Sequence, residues 1–214
     1  MAFGPGTMLA GHRGMRINSS LGTALLSIAL SLVTACTDPV DSTTIGESRA
    51  TIAAALTCYD FSSFAGSFVV GDVVAAANAT ITLHRFQWDN GIWTAGGVAS
   101  VVASSFAAGT PINELSLNNI MVRVTPDAPA AGARYLYAYL GGNVNFGVNG
   151  DFRNVGDLSA LDGTVVGGCD ISVTRVNFAG GYRGEVEIVP QAGVAIERFG
   201  VGGQEFYIDD VCHW

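Results

Sequence analysis

From residue 56 onward the chain consists of short stretches in which polar and apolar residues alternate. The clearest examples are residues 80–86, 120–124, 135–140, 171–176 and 185–189. Alternation with a period of two is typical of β-strands, because successive side chains point to opposite faces of a sheet. Gly, Asn and Asp separate the stretches, and these residues favour turns. No long stretch shows the helical period, so the sequence predicts about ten strands in one antiparallel β-sandwich.

Composition agrees with this fold class and limits the partners. Gly accounts for 28 of the 214 residues and charged residues for only 13%, whereas helical bundles carry more charge and less Gly. All ten basic residues are Arg, against 18 acidic residues. Without Arg13 and Arg16, which lie in a predicted leader, the charge is 8 − 18 = −10. Such a surface repels phosphate backbones, so we expect no nucleic-acid binding. The acidity either favours cations such as calcium or simply aids solubility.

The first 36 residues have the pattern of an export signal. Basic residues His12, Arg13 and Arg16 precede an apolar run over residues 21–33, which is too short to span a bilayer comfortably. The run ends in Val33-Thr34-Ala35-Cys36, which resembles the lipobox of bacterial lipoproteins. The resemblance implies that residues 1–35 are a signal peptide and that Cys36 carries lipid chains that anchor the protein to a membrane.

The same resemblance predicts where the protein resides. The residue after Cys36 is Thr37 and not Asp, which in a Gram-negative cell resembles the pattern of lipoproteins sent to the outer membrane. Met8 and Met15 are alternative starts. Residues 36–55 are polar and then rich in Ala, without a clear period, so we expect a flexible tether. The folded domain is then residues 56–214.

Two Asn-Gly pairs predict tight hairpin turns. Asn90-Gly91 favours a two-residue type I′ turn that sets Trp88 opposite Trp93. Asn149-Gly150 predicts a second such turn, which sets Val148 against Asp151; a looser loop is the alternative in this Asn- and Asp-rich stretch.

Three cysteines remain for the exported domain. Cys58 lies on the first predicted strand and Cys212 two residues from the end. Export permits disulfides, and the first and last strands of jelly-roll sandwiches often run side by side. We therefore predict a Cys58–Cys212 disulfide. Cys169 follows two glycines on an apolar strand and is expected to be a buried free thiol.

Short motifs along the domain resemble the galactose-binding-like jelly rolls, a superfamily that includes many carbohydrate-binding modules. They are Cys58-Tyr59-Asp60-Phe61, Gly71-Asp72, residues 148–152 and the closing strand Ile208-Asp209-Asp210-Val211. The resemblance implies a jelly-roll fold. It also implies a structural calcium ion near the first and last strands, with Asp60, Asp72, Asp209 and Asp210 as candidate ligands. Acids that cap turns and face water are the alternative.

The chain shows no set of catalytic residues. His84 and His213 lack a zinc-site spacing, and neither Gly-x-Ser-x-Gly nor a phosphate-binding Gly loop occurs. Glu185 and Glu187 fall on one face of a strand, whereas glycoside hydrolysis needs carboxylates on opposite sides of a cleft. We therefore expect no enzyme.

Aromatic residues provide the main hint of binding. Tyr135, Tyr137 and Tyr139 alternate with smaller apolar residues and share one strand face. If that face is exposed, the rings form a platform for sugars, and Gln87, Asn143 and Asn145 add hydrogen bonds; if it is buried, the rings belong to the core. Trp88 and Trp93 form a second candidate platform.

The sequence therefore predicts a non-catalytic, lipid-anchored β-sandwich that binds a ligand, with carbohydrate as the leading class. A structural or adhesive surface protein that binds other proteins is the first alternative, and a hydrolase is the second.

Overall fold

A computed structural model describes residues 55–109 and 113–214. The predicted signal peptide, Cys36 and the tether up to residue 54 lie outside the described residues and stay predictions. All described residues belong to one compact unit. Within this part of the chain, no helix is long and apolar enough to cross a membrane.

The described chain contains fourteen β-strands and one 3₁₀ turn. This is more than the ten or so strands that the sequence predicts, because strands of two to four residues, such as Val165–Val166, are too short to show alternation. The strands are β1 Thr57–Tyr59, β2 Ser67–Val69, β3 Val73–Ala76, β4 Ala79–Arg85, β5 Val98–Ala103, β6 Asn113–Asn118, β7 Ile120–Pro126, β8 Ala133–Val148, β9 Asp151–Val155, β10 Val165–Val166, β11 Cys169–Val173, β12 Val176–Phe178, β13 Gly181–Pro190 and β14 Phe199–His213. The 3₁₀ turn, Leu158–Leu161, is capped by the Asp157 side chain, which accepts from Ser159 N.

Two long strands, β8 and β14, organise the domain. They pair with each other in antiparallel fashion over most of their length, with register shifts on either side of Glu205 and again between Asp209 and Cys212. Before the first shift β14 also pairs with β7; beyond it β14 pairs with β6 and finally with β1. Strand β8 pairs on its other edge with β13 and then β9. All pairings are antiparallel, so the predicted all-β sandwich is confirmed.

The core follows from the strand alternation. On β4 the residues Ala79, Ile81 and Leu83 are buried while their neighbours are half-buried or exposed. The inward residues of the sheet form one apolar cluster, whose largest buried side chains include Tyr135, Tyr137, Phe146, Phe206 and Ile208. Burial of this cluster provides the main driving force for folding.

The second predicted hairpin turn is confirmed. Asn149 and Gly150 have left-handed φ values of 51° and 92°, as a type I′ turn requires at both central residues. Val148 pairs with Asp151 and Phe146 with Arg153, as the sequence predicted.

The first predicted hairpin turn is wrong in type and register. Gln87, and not Trp88, pairs with Trp93. Gly91 N donates to Trp88 O and Trp88 N donates to Ile92 O, each at 2.9 Å. Gly91 alone in this turn has a left-handed φ, of 82°. This pattern is a three-residue turn closed by a glycine bulge, which is the next most common hairpin connection. The two tryptophan rings therefore do not face each other.

The cysteine predictions hold. Cys58 on β1 is the direct strand partner of Cys212 on β14, and their Sγ atoms lie 2.12 Å apart, at disulfide distance. The bond joins the first and last strands across 154 residues of sequence. Cys169 on β11 is a buried free thiol, and burial raises its pKa.

Candidate functional site

The prediction of an exposed tyrosine platform is wrong, because these rings pack in or against the core. Tyr135 and Tyr137 are only 1% and 0% exposed, and Tyr139 is half-buried against Tyr182 with ring centroids 4.6 Å apart. The hydroxyl groups of two of them bond within the protein, Tyr137 Oη to Thr174 O at 2.8 Å and Tyr139 Oη to Gly156 O at 2.9 Å. Burial raises the pKa of Tyr137 to about 12. Tyr135 and Tyr137 therefore cannot stack on a sugar, and the ring of Tyr139 is already engaged with Tyr182.

The tryptophan hairpin presents the more accessible aromatic surface. Trp93 is 47% exposed and its ring packs against Phe152, with ring centroids 5.2 Å apart. Trp88 is half-buried and lies edge-on to buried Phe86 at 5.6 Å. The two tryptophan rings therefore pack on different sides of the hairpin, Trp93 against Phe152 and Trp88 against Phe86.

Trp88 lines an open groove of about 490 Å³, which we call the hairpin groove. Its lining residues are Trp88, Thr94, Ala95, Gly96, Gly97, Val98, Asn118 and Asn119. Gly97 allows the close approach of the two walls, since a Cβ there would lie 2.1 Å from Asn119 O. The site therefore combines one indole with two amides on a floor without bulky side chains.

Asn119 lines the hairpin groove and also carries an unsatisfied buried polar atom. This residue adopts a left-handed φ of 56° between β6 and β7, and its Nδ2 donates to Asn118 Oδ1 at 2.6 Å. Its Oδ1 is buried and has no hydrogen-bond partner among the described residues. A buried acceptor without a partner is costly, so an enclosed water molecule that donates to it would be stabilising. Neither Asn118 nor Asn119 stood out in the sequence, because a pair of asparagines usually marks only a turn.

The amides that we expected to bind sugar instead hold the hairpin in place. Asn143 Nδ2 and Asn145 Nδ2 both donate to Gln87 O at 2.8 Å, and Asn145 Oδ1 accepts from Gln87 N. Asn154 on β9 continues this amide cluster, since its Nδ2 donates to Trp88 O at 2.7 Å. Asn143 and Asn145 are buried. Their role is therefore to fix the backbone of residues 87–88 and with it the Trp88 ring.

Asp60, Asp72 and Asp209, three of the four predicted calcium ligands, have local hydrogen-bond partners. Asp60 Oδ1 accepts from Ser62 N at 3.0 Å, Asp72 Oδ2 accepts from Val69 N at 2.8 Å, and Asp209 Oδ1 accepts from Asp210 N at 2.8 Å. Asp60 and Asp210 both lie close enough to Asp209 to raise its pKa. Across residues 55–109 and 113–214, no three His, Cys, Asp or Glu side chains form a group arranged for a metal ion. Calcium binding stays a prediction.

Asp209 is nevertheless the most perturbed acid described. It is fully buried, and its Oδ2 has no hydrogen-bond partner in the described structure. Gly109 covers it so closely that a Cβ there would lie 1.8 Å from Oδ2. Burial above all, and then the charges of Asp210, Glu114 and Asp60, raise the pKa of Asp209 to about 7, against a lowering hydrogen bond from Asp210 N.

The remaining candidate residues, the two histidines and the two glutamates of β13, lie in the strand framework. His84 Nε2 lies 2.8 Å from Thr82 Oγ1, and His213 Nε2 lies 2.9 Å from Tyr59 Oη. Burial lowers the pKa of both imidazoles. Glu185 and Glu187 lie on β13 on the face opposite buried Val186, as the alternation predicted.

The chain matches no protein-family model, no curated protein and no solved structure at significant similarity.

Proposed function

We propose that this protein is an exported, lipid-anchored binding domain without catalytic activity, that its ligand is a carbohydrate, and that the hairpin groove is the binding site. The observation that carries the proposal is the convergence of Trp88, Asn118 and Asn119 on one open groove.

The chemistry of the groove suits a sugar. Aromatic rings stack on the apolar face of a pyranose, while amide groups exchange hydrogen bonds with its hydroxyl groups. A sugar hydroxyl can exchange hydrogen bonds with the exposed amide of Asn118, which lines the groove. The amide cluster of Asn143, Asn145 and Asn154 fixes the backbone that carries Trp88, so little ordering entropy is lost on binding.

The predicted export signal and the predicted lipid anchor at Cys36 indicate where in the cell the domain acts. A lipid anchor at Cys36 followed by the tether of residues 36–55 places the domain at a membrane surface with freedom to orient its groove. On this basis the protein acts at the cell envelope, at the outer membrane if the cell is Gram-negative.

A glycan array screened with soluble residues 50–214, with calcium and with a chelator, tests the proposal. We expect selective binding that Trp88→Ala and Asn119→Ala weaken and that Tyr207→Ala, a ring outside the hairpin groove, leaves unchanged. Circular dichroism checks that each variant is folded. Loss of binding in the presence of the chelator would indicate that a calcium ion takes part in binding. An array without signal in both conditions, or binding indifferent to Trp88 and Asn119, contradicts the proposal.

One observation favours a second candidate function. Ile92 at the hairpin tip is 63% exposed beside exposed Trp93, and such an apolar pair is typical of a protein contact. On this alternative the protein is a surface adhesin. Binding to an envelope protein that Ile92→Ser abolishes and Trp88→Ala spares would favour it over the carbohydrate proposal.

A further inference from the structure

The outer face of the sheet carries a second groove with a different chemistry. It holds about 250 Å³ and is lined by Arg123 and Arg198 together with Met121, Gly147, Phe152 and Gly200; we call it the arginine groove. Gly200 forms part of its floor. A larger residue does not fit there, because a Cβ would lie 2.5 Å from Val122 O and 3.0 Å from Met121 Cε.

Neither arginine in this groove forms an ion pair with an acidic side chain in the described part of the chain. The ion pairs formed by described residues are Arg153–Asp151 at 2.9 Å and Arg175–Asp157 at 2.8 Å, and neither involves Arg123 or Arg198. Asp151 also borders the groove, but its Oδ2 already accepts from Arg153 Nη2 and, at 3.1 Å, from Gly167 N. Two guanidinium groups without ion pairs that line one groove stand out in a chain with a formal charge of −8.

The fold holds these arginines close despite their repulsion. Arg123 lies on β7 between Thr82 of β4 and Gly200 of β14. The Asn149 side chain fixes the segment before β14, since its Oδ1 accepts from Glu197 N at 2.8 Å and its Nδ2 donates to Ala195 O at 2.8 Å. Gly150 leaves room for the Arg198 guanidinium, because a Cβ there would lie 3.0 Å from Nη2.

The pKa values of Arg123 and His84 indicate a positive electrostatic potential at the arginine groove. Burial and the charge of Arg198 lower the pKa of Arg123. Burial and the charge of Arg123 lower the pKa of His84, which lies on the adjacent strand β4. An anion between the two guanidinium groups would offset the Coulombic repulsion that contributes to both shifts.

We propose that the arginine groove binds an oxyanion, the carboxylate or sulfate group of a small ligand, between Arg123 and Arg198. Guanidinium groups match such groups with paired N–H donors. Phe152 and Met121 supply an apolar wall for the part of the ligand that carries the charge. The proposal does not depend on neutral sugars binding in the hairpin groove.

NMR titration of ¹⁵N-labelled residues 50–214, which belong to one compact unit with its own core, tests this site. The probes are glucuronate, inorganic sulfate and, as an uncharged match, glucose. We expect saturable shifts of the Gly147, Gly150 and Gly200 amides with one or both anions and none with glucose. Stronger binding of glucuronate than of sulfate would identify a carboxylate on a ring; equal binding would identify the oxyanion alone.

Variants make the result specific. Arg123→Gln and Arg198→Gln should each weaken anion binding about tenfold or more, as expected for loss of a charged hydrogen bond. Arg85→Gln removes an exposed arginine outside the groove and should have no effect. Dispersed spectra show that the variants are folded. Absence of saturable shifts with both anions, or binding unchanged in Arg123→Gln and Arg198→Gln, overturns the proposal. Trp88→Ala should leave anion binding intact, which separates failure of this site from failure of the hairpin groove.

Discussion

Replacement of Asp209 by Asn should stabilise the protein at neutral and alkaline pH and change it little in acid. The carboxyl group is fully buried beneath Gly109, with Glu114, Asp60 and Asp210 near it, and its pKa is about 7 instead of the usual 3.8. In the folded state the group therefore remains protonated at pH values where the unfolded chain has already released the proton.

The sign and size follow from proton linkage. Well below pH 3.8 the carboxyl group is protonated in both states, so it makes no pH-dependent contribution to the free energy of unfolding. As the pH rises from about 4 to 7 the unfolded state binds fewer protons than the folded state, so the free energy of unfolding falls. A shift from 3.8 to about 7 corresponds to at most about 4 kcal/mol, at about 1.4 kcal/mol per pKa unit. For a domain of this size that is on the order of 10 °C in Tm.

Urea unfolding of the oxidised protein at pH 4.5 and pH 8 measures the effect as the difference between Asp209→Asn and the wild type. Asn at this position keeps an oxygen for the hydrogen bond from Asp210 N, so that contact is not lost. Asp89→Asn makes the same chemical change at an exposed site and serves as the control. The reasoning is refuted if the difference between Asp209→Asn and the wild type is the same at both pH values.

Three further predictions concern stability. Reduction of the Cys58–Cys212 bond should lower the free energy of unfolding by about 4–5 kcal/mol, because the bond closes a very long loop; urea unfolding with and without reductant checks this. Asn149→Ala should cost about 2–4 kcal/mol in the same assay, since it removes side-chain hydrogen bonds to Gly167 O, Ala195 O and Glu197 N at a left-handed position. Asn154→Ala, in the extended strand β9, should cost less. Tyr137→Ala should lower the free energy of unfolding by about 3–5 kcal/mol, because it leaves a cavity in the core. Ligand binding by the folded protein should be unchanged. A variant that keeps full stability but binds ligand more weakly would contradict the buried position of Tyr137.

The fold was predictable because its signals are local. Alternation identified the strands, and Asn149-Gly150 specified its turn because both residues tolerate left-handed φ values. The disulfide followed from the positions of Cys58 and Cys212 at the two ends of the domain.

The orientation of the tyrosine strand was not predictable from its pattern. Tyr135, Tyr137 and Tyr139 alternate with Leu136 and Ala138, so both faces of the strand are apolar and alternation alone does not say which faces inward. The tyrosine face is buried because the rings fill the core beside Phe206, whose ring stacks on Tyr137 at 5.9 Å. This packing depends on residues far apart in the sequence.

The hairpin groove was only partly predictable, for a similar reason. Trp88 stood out as an aromatic residue near a turn, but the amide cluster that fixes it joins Gln87 to Asn145 across 58 residues. The same long-range bonds accompany the shift of the hairpin register away from the one that Asn90-Gly91 favours. A preference of two residues is weak against several hydrogen bonds to buried amides.

The most direct test of the proposed function is NMR shift mapping of residues 50–214 with a mixture of neutral oligosaccharides, which detects weak binding. The account predicts that the shifts concentrate on the backbone amides of residues 94–98 and 118–119 and on the Trp88 indole N–H. Shifts confined to other surfaces, or no shifts at millimolar sugar, would contradict carbohydrate binding in the hairpin groove.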